Sequence, residues 1–193
     1  AGQPCDINEI KEIAEKYNLF LIEDACHAVG AKFKDKKVGN FADLTIFSFH
    51  PVKHITTGEG GMITTNNEKL YKKLLMLRNH GIDKETKERF GKDSGWSYDM
   101  KLLGKNYRLT DFQCALGISQ LKKLNDMIKK RQEITEKYSK EFKKIKEIDL
   151  PFVKNNIKHA WHIYTILLNK TINRNKFFKM MRQENIGVNV HYI

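Results

Sequence analysis

The sequence predicts an α/β fold, with a mainly parallel sheet in a large domain and a small α+β domain after it. Short, continuous apolar runs alternate with stretches of helical periodicity, which is typical of strands covered on both faces by helices. Polar or glycine-rich residues follow these runs directly. After Pro151 the composition changes to strand, helix and strand. We therefore predict three parts: residues 1–109, a connecting helix over 110–146, and the start of the small domain over 147–193.

The first helix and the first strand are predicted close to the start of the chain. Apolar residues between 7 and 17 recur at three-to-four spacing, which indicates a helix, and Asp6 is a suitable N-cap. The apolar run 19–22 predicts a buried strand. This strand ends at Glu23 and Asp24.

Two more strands and a second helix follow. The run 44–47 predicts a strand that ends at Ser48, and residues 61–65 predict another after a glycine-rich turn. A helix is predicted to begin at Asn66. Residues 82–101 are polar and lack periodicity, so we expect a long loop there.

The strongest helical pattern in the chain begins at Thr110 and continues to about residue 146. It is far longer than the average helix of about 11–12 residues, and helices of this length often bridge two domains. Beyond it we predict a strand over 161–168, a helix over 173–184 and a final strand over 188–193.

The net charge is +12, since 35 lysines and arginines outnumber 23 acidic residues. Such an excess is compatible with nucleic acid, an anionic membrane surface, a phosphorylated small substrate, or only a solvated surface. Several lysines occupy the solvent-facing positions of the long helix: Lys122, Lys123, Lys129, Lys130 and Lys137. Charge alone therefore does not decide the function.

Cysteine usage and hydropathy predict a cytoplasmic protein. The three cysteines, Cys5, Cys26 and Cys114, are far apart and form no CxxC pair, which argues against a disulfide framework and a cysteine zinc site. The sequence has no run of 18 apolar residues and no signal-peptide pattern at its start. We expect neither a membrane nor a nucleic acid as a partner.

Two segments place polar residues where a purely structural core would not. Asp24 follows a buried strand, at the edge where open α/β sheets bind ligands, although it could merely cap the next turn. Ser48 ends another strand, and Lys53 follows five residues later. A lysine among apolar neighbours can act as a nucleophile toward a carbonyl group. Gly60 and Gly61 would let a ligand approach the backbone closely.

Two other interpretations of this region are weaker. His50 and His54 have the spacing of a zinc-binding pair on a helix, but Pro51 lies between them and no third ligand is near, so we predict no metal. A phosphate-binding P-loop is also disfavoured, because Lys53 precedes the glycines instead of following them.

The chain resembles the DegT/DnrJ/StrS-type aminotransferases, which make amino sugars. The resemblance is carried by six segments in the family's order: 23–31, 48–61, 78–81, 106–111, 160–162 and 190–192. Each segment alone would be weak evidence, but the set spans nearly the whole chain and is specific. The resemblance implies a fold-type I enzyme that uses pyridoxal 5'-phosphate.

The resemblance also implies a role for several side chains. Lys53 would be the catalytic lysine that binds the cofactor as a Schiff base. Asp24 would pair with the pyridinium nitrogen, so that the ring acts as an electron sink. His27 resembles the residue beside the ring's phenolic oxygen, and Ser48 the residue that holds the phosphate. Asn106 resembles a residue lent to the partner subunit's cofactor, which implies a homodimer with shared active sites.

The substrate is expected to be a nucleotide-linked sugar, with glutamate as the amino donor. Among the residues that could contact it, Arg108 and Tyr192 are the main candidates, beside His54, Glu59 and His162. The stretch 50–61 most resembles the transaminases of the pseudaminic acid pathway, which aminate a UDP-linked 4-keto-6-deoxy-N-acetylhexosamine. The alternatives are a relative that aminates another keto-sugar (for lipid A, spore coat or antibiotics), a regulatory protein, or a nucleic-acid-binding module.

We also expect this chain to be a piece of a longer enzyme. It begins with Ala1 instead of methionine and stops within the apolar run 188–193. Family members carry an N-terminal portion that supplies further strands and part of the cofactor site. Without that portion we expect an exposed sheet edge and little or no activity.

Overall fold

A computed structural model describes residues 1–83 and 97–192 of the chain. The described residues form five helices, which are α1 (Ile7–Lys16), α2 (Glu68–Arg78), α3 (Asp111–Lys122), α4 (Leu124–Phe142) and α5 (Arg174–Gln183). They also form eight strands, which are β1 (Ile22–Asp24), β2 (Lys32–Phe33), β3 (Lys36–Lys37), β4 (Leu44–Ser48), β5 (Gly61–Thr64), β6 (Ile148–Asp149), β7 (Ile157–Lys158) and β8 (Leu167–Leu168).

The main sheet has the strand order β1-β4-β5. β1 and β4 run parallel, with Asp24 opposite Ile46, whereas β5 runs antiparallel to β4, with Gly61 opposite Ser48. The predicted alternation of helices and strands is confirmed over this part of the chain. The first strand begins three residues later than predicted, at Ile22, and it ends at Asp24, as predicted.

The prediction that these strands are covered on both faces is wrong for the described residues. Leu19, Phe20 and Ile22 are exposed, and Phe20 leaves 76% of its surface accessible. Within the described sheet, β1 has β4 as its neighbour on one side and forms an edge on the other. In the described sheet, the apolar run therefore borders an uncovered face and an unpaired strand edge. This agrees with the exposed sheet edge predicted from the sequence.

The core beside the sheet consists of small residues. Ala25, Ala28, Ala31, Val38 and Ala160 form one buried cluster, against which Phe47 of β4 packs. Alanines allow backbones to approach closely, so the turn after β1 contacts the segment around residue 160. This contact joins two segments that are far apart in sequence.

The predicted helix over 110–146 is two helices. α3 ends and α4 begins at Lys123, whose backbone lies at φ −96° and ψ −3°. The start agrees with the prediction, because Thr110 forms a capping box with Gln113. The three-part division of the chain stays a prediction.

Two predicted strands are shorter or missing. Of the residues 161–168, Leu167 and Leu168 form a strand, paired with β6, and residues 188–192 form none. The predicted loop 82–101 falls largely on residues 84–96, which lie outside the described residues. In the part of the chain that is described, no helix has the length and apolarity needed to cross a membrane.

Helix α4 packs against the turn after β1 through Ile128 and Leu124. Ile128 is 1% exposed, and a Cβ placed on Gly30 would lie 2.3 Å from the Ile128 Cδ1 atom. Gly30 also has φ +81°, a conformation that other residues rarely adopt. A glycine at this position is therefore required by both the backbone and the packing.

Replacing Ile128 by alanine is expected to lower the free energy of unfolding by about 2–4 kcal/mol, because it leaves a cavity between α4 and Gly30. Urea denaturation followed by circular dichroism measures the change. The matched control is Ile134→Ala on the same helix, where half the side chain is already exposed. Equal losses in the two variants would contradict this account of the packing.

Candidate functional site

The carboxyl ends of β1 and β4 place Asp24 and Ser48 at one edge of the sheet. The strands are parallel and Asp24 lies opposite Ile46, so Ser48 lies two residues further along the neighbouring strand. Each side chain accepts a hydrogen bond from the backbone two residues on: Asp24 Oδ1 from Cys26 N (3.0 Å) and Ser48 Oγ from His50 N (3.3 Å). These bonds turn the chain away from the sheet and hold both side chains at its edge.

Asp24 is a stable carboxylate. The hydrogen bonds from Cys26 lower its pKa most, and the charge of Lys53, together with that of His27 when the ring is protonated, lowers it further. The side chain is exposed. It is therefore ionised at neutral pH and free to accept a bond from a cationic N–H group of a ligand.

Lys53 lies on the loop after β4, where its backbone N–H donates to the carbonyl oxygen of His50 (3.0 Å). Its side chain is half-buried. Its charge influences the pKa values of Asp24, His27 and His162. Asp24 and Ser48 thus lie at one sheet edge, and Lys53 lies on the loop that follows β4.

His27 forms one wall of this site. It lies in the turn after β1, and its ring centroid is 4.2 Å from that of His162. Burial is the main cause that lowers its pKa, and the charge of Lys53 adds to the effect. A neutral ring beside Lys53 avoids repulsion between two positive charges.

Three histidines, two of them buried and His162 partly buried, lie close together beside the site, and sequence reasoning did not recognise them as a group. His54 is 2% exposed, and its Nε2 donates to the carbonyl oxygen of Ala160 (2.8 Å). His159 stacks on Trp161 with a centroid distance of 3.8 Å. Burial lowers the pKa of His54 and of His159 to about 4, and that of His162 to about 3. No periodicity marks them, because they come from two separate irregular segments.

The histidine pair that resembles a zinc motif is separated in the structure. His50 is exposed and its Nε2 lies 3.8 Å from Glu59 Oε1, whereas His54 is buried and bonded to Ala160. Among the described residues, no three histidine, cysteine or acidic side chains are grouped so that they could hold a metal ion.

The glycines after Lys53 are explained by packing. A Cβ on Gly60 would lie 2.8 Å from Leu109 Cδ2, and a Cβ on Gly61 would lie 2.7 Å from the carbonyl oxygen of Phe47. Gln113 Nε2 also donates to the carbonyl oxygen of Glu59 (3.0 Å), so the start of α3 holds this turn. The glycines therefore let β4 and the residue Leu109 before α3 approach the turn. The sequence, by contrast, predicts that they make room for a ligand.

Asn106 and Arg108 lie away from this sheet edge. Asn106 forms an antiparallel bridge with Asn79 at the end of α2, and Arg108 Nη1 donates to Asn79 Oδ1 (2.5 Å). Both side chains are exposed. Tyr192 is also exposed, but its neighbour His191 is close enough to His27 to influence its pKa.

The site offers a primary amine, a carboxylate and a hydroxyl at one sheet edge. Together they suit a ligand that has a carbonyl group, a protonated ring nitrogen and a phosphate. His162 Nδ1 is buried without a hydrogen-bond partner among the described residues. A group of this chemistry, such as pyridoxal phosphate, fits the residue types of the site.

The sequence profile of the DegT/DnrJ/EryC1/StrS aminotransferase family matches residues 1–193. A UDP-4-amino-4,6-dideoxy-N-acetyl-beta-L-altrosamine transaminase of Campylobacter jejuni is 47% identical over 99% of this chain, which covers 49% of that protein. The chain spans about half the length of the curated relatives it matches.

Solved structures show the same fold. PseC of Helicobacter pylori, an aminotransferase of pseudaminic acid biosynthesis, superposes with a TM-score of 0.90 and 32% identity over 98% of this chain and 50% of its own. The sugar aminotransferase Spr1654 of Streptococcus pneumoniae, in its PLP form, gives a TM-score of 0.85 and 26% identity, with 98% and 52% coverage. The expected fold-type I α/β architecture is thereby confirmed.

The buried histidines make stability depend on pH. His54, His159 and His162 have folded pKa values below the ordinary 6.5, so the unfolded chain binds their protons first as the pH falls. The free energy of unfolding should therefore decrease from about pH 6.5 toward pH 4. Denaturant titrations across this range measure it, and His54→Gln should reduce the slope, because glutamine does not titrate. A free energy of unfolding that is constant over this range would contradict the account.

Proposed function

The chain belongs to the DegT/DnrJ/EryC1/StrS aminotransferase family, and from that premise we propose that it carries the cofactor-binding site of a pyridoxal-phosphate aminotransferase acting on a nucleotide-linked keto-sugar. The observation that carries the proposal is the convergence of Asp24, Ser48 and Lys53 at the end of the parallel strand pair. They carry a carboxylate, a hydroxyl and an amine, which suit the ring nitrogen, the phosphate and the carbonyl group of the cofactor.

Lys53 is the proposed covalent attachment point. Its amine lies on a loop directly after the sheet edge and is half-buried, accessible to a ligand yet surrounded by the residues of the site. Pyridoxal phosphate, when bound, supplies an electron sink for breaking a bond at the amino-bearing carbon. The Lys53 Nζ atom then serves as the general base and acid, which takes a proton from that carbon of the donor and returns one to the product.

Asp24 is proposed to keep the ring nitrogen of the cofactor protonated. Its lowered pKa supports this role, because the carboxylate stays ionised and accepts a charge-assisted hydrogen bond. Ser48 would donate its hydroxyl to the phosphate, and the neutral His27 ring would face the phenolic oxygen. The lowered pKa of His27 supports a contact that does not add a second positive charge beside Lys53.

The proposed substrate is a UDP-linked 4-keto-6-deoxy-N-acetylhexosamine, and the proposed amino donor is glutamate. This choice is supported by 47% identity over nearly the whole chain with the transaminase of that sugar from Campylobacter jejuni. Arg108 and Tyr192, both exposed, are proposed to contact the nucleotide sugar. A cytoplasmic location suits these substrates.

A homodimer is proposed to complete each site. Asn106 bridges to Asn79 at the end of α2, and the proposal assigns it to the cofactor site of the partner subunit. Helix α3 begins five residues later and exposes Phe112, Ile118 and Leu121, with 90% of Phe112 accessible. Exposed apolar side chains on this helix support an interface.

The activity is tested by supplying glutamate and a UDP-linked 4-keto-sugar to the intact protein and following both the amino sugar and 2-oxoglutarate. Asp24→Asn should lower the rate by about 100-fold or more, since it removes the charge that stabilises the protonated ring nitrogen. Asp35→Asn, which changes an exposed turn, is the matched control. Faster amination of a different keto-sugar, or no loss in Asp24→Asn, would contradict the proposal.

Shared sites are tested by mixing two defective variants. Lys53→Ala and Asn106→Ala should each be impaired, but random exchange of subunits should restore about one quarter of the wild-type activity, because each mixed dimer has one intact site. Unmixed samples at the same total concentration are the control. Activity no greater than the average of the two unmixed samples would show that Asn106 does not act across an interface.

A further inference from the structure

The segment that contains Trp161 runs behind the candidate site in an unusual conformation. Trp161 has φ +51°, in the left-handed region that bulky side chains rarely occupy. Its indole ring stacks on His159, and the backbone N–H of Trp161 donates to His159 Nδ1 (2.8 Å). Such a conformation persists where surrounding contacts determine it, and it is often found at functional sites.

An arginine on helix α4 bonds to the backbone of this segment. Arg131 of α4 donates through Nη1 to two consecutive carbonyl oxygens, those of Trp161 (3.1 Å) and His162 (3.0 Å). Arg131 is itself fixed, since it lies one turn from the buried Ile128 on one side and from the buried Thr135 on the other. A guanidinium group fits two neighbouring carbonyls because its N–H donors are held in a rigid plane.

The turn held by Arg131 supports two residues of the site. The His162 ring lies 4.2 Å from that of His27 and 5.5 Å from that of His54. His54 directly follows Lys53 in sequence and is tied to the same turn through its bond to Ala160. The wall formed by His27 and the loop that carries Lys53 therefore rest on one segment, residues 160–162.

We infer that Arg131 is a positioning residue, which holds the turn 160–162 so that His162 fixes the ring of His27 and His54 fixes the loop of Lys53. The inference rests on the proposed function for what the site binds, but the geometry concerns the protein alone. Arg131 itself does not need to touch cofactor or substrate. It acts through the backbone carbonyls of Trp161 and His162, and from there through the rings of His162 and His54.

The inference is tested with Arg131→Gln, with Arg131→Lys as the conservative variant and Lys130→Gln as the matched control on the exposed side of the same helix. Histidine ring signals in NMR spectra of the cofactor-free protein are the first readout. Arg131→Gln should shift the signals of His27 and His162, Arg131→Lys should shift them less, and Lys130→Gln should leave them in place.

The second readout is the dissociation constant for pyridoxal phosphate, which Arg131→Gln should raise by about 10- to 100-fold through misplacement of the site. A double-mutant cycle with His162→Ala identifies the route: if Arg131 acts through His162, removing both should cost much less than the sum of the single effects. Unfolding curves of each variant establish that the protein folds. If Arg131→Gln does not fold, the same cycle is made with Arg131→Lys.

Two outcomes would overturn the inference: ring signals in Arg131→Gln that match those of Lys130→Gln, or additive effects of Arg131→Gln and His162→Ala on cofactor binding. Failure of the wild-type protein to bind pyridoxal phosphate would instead count against the proposed function. In that case the ring signals of the cofactor-free protein still decide whether Arg131 positions His162 and His27.

Discussion

The parallel pairing of β1 with β4 is the constraint on which the candidate site depends. Its register places Asp24 and Ser48 at the same edge, and a buried side-chain bond helps to hold it: Thr45 Oγ1 donates to Glu23 Oε2 (3.2 Å). A slip of one residue would turn every side chain of β1 to the opposite face of the sheet. Such a slip would separate the carboxylate of Asp24 from the amine of Lys53.

The chain between these strands supplies the second part of the site. It turns after Asp24 through a cluster of buried alanines, which brings His27 close to the segment around Ala160. Helix α4 packs on the same region through Ile128, and its Arg131 bonds to that segment. Residues from three separate parts of the sequence thus support one sheet edge.

The sequence predicts the fold, and it offers three central residues as candidates for the site, because each has a local signal. Asp24 and Ser48 end apolar runs, and Lys53 follows the second run at short distance. The buried histidines have no such signal, since their role depends on contacts between residue 54 and residues 159–162 that only the folded chain creates. The sequence does not predict the break at Lys123, because helical periodicity continues on both sides of it. It does not predict the exposed face of β1 either, because an apolar run does not reveal whether it is covered.

The central claim is that Lys53 is the residue to which the cofactor binds covalently. It is tested most directly by adding pyridoxal phosphate to the protein, reducing with borohydride and locating the label by peptide mass spectrometry, with Lys53→Ala and Lys32→Ala in parallel. The account predicts a label concentrated on Lys53, lost in Lys53→Ala and kept in Lys32→Ala. A label spread evenly over the exposed lysines, or equal labelling of Lys53→Ala and the wild type, would contradict it.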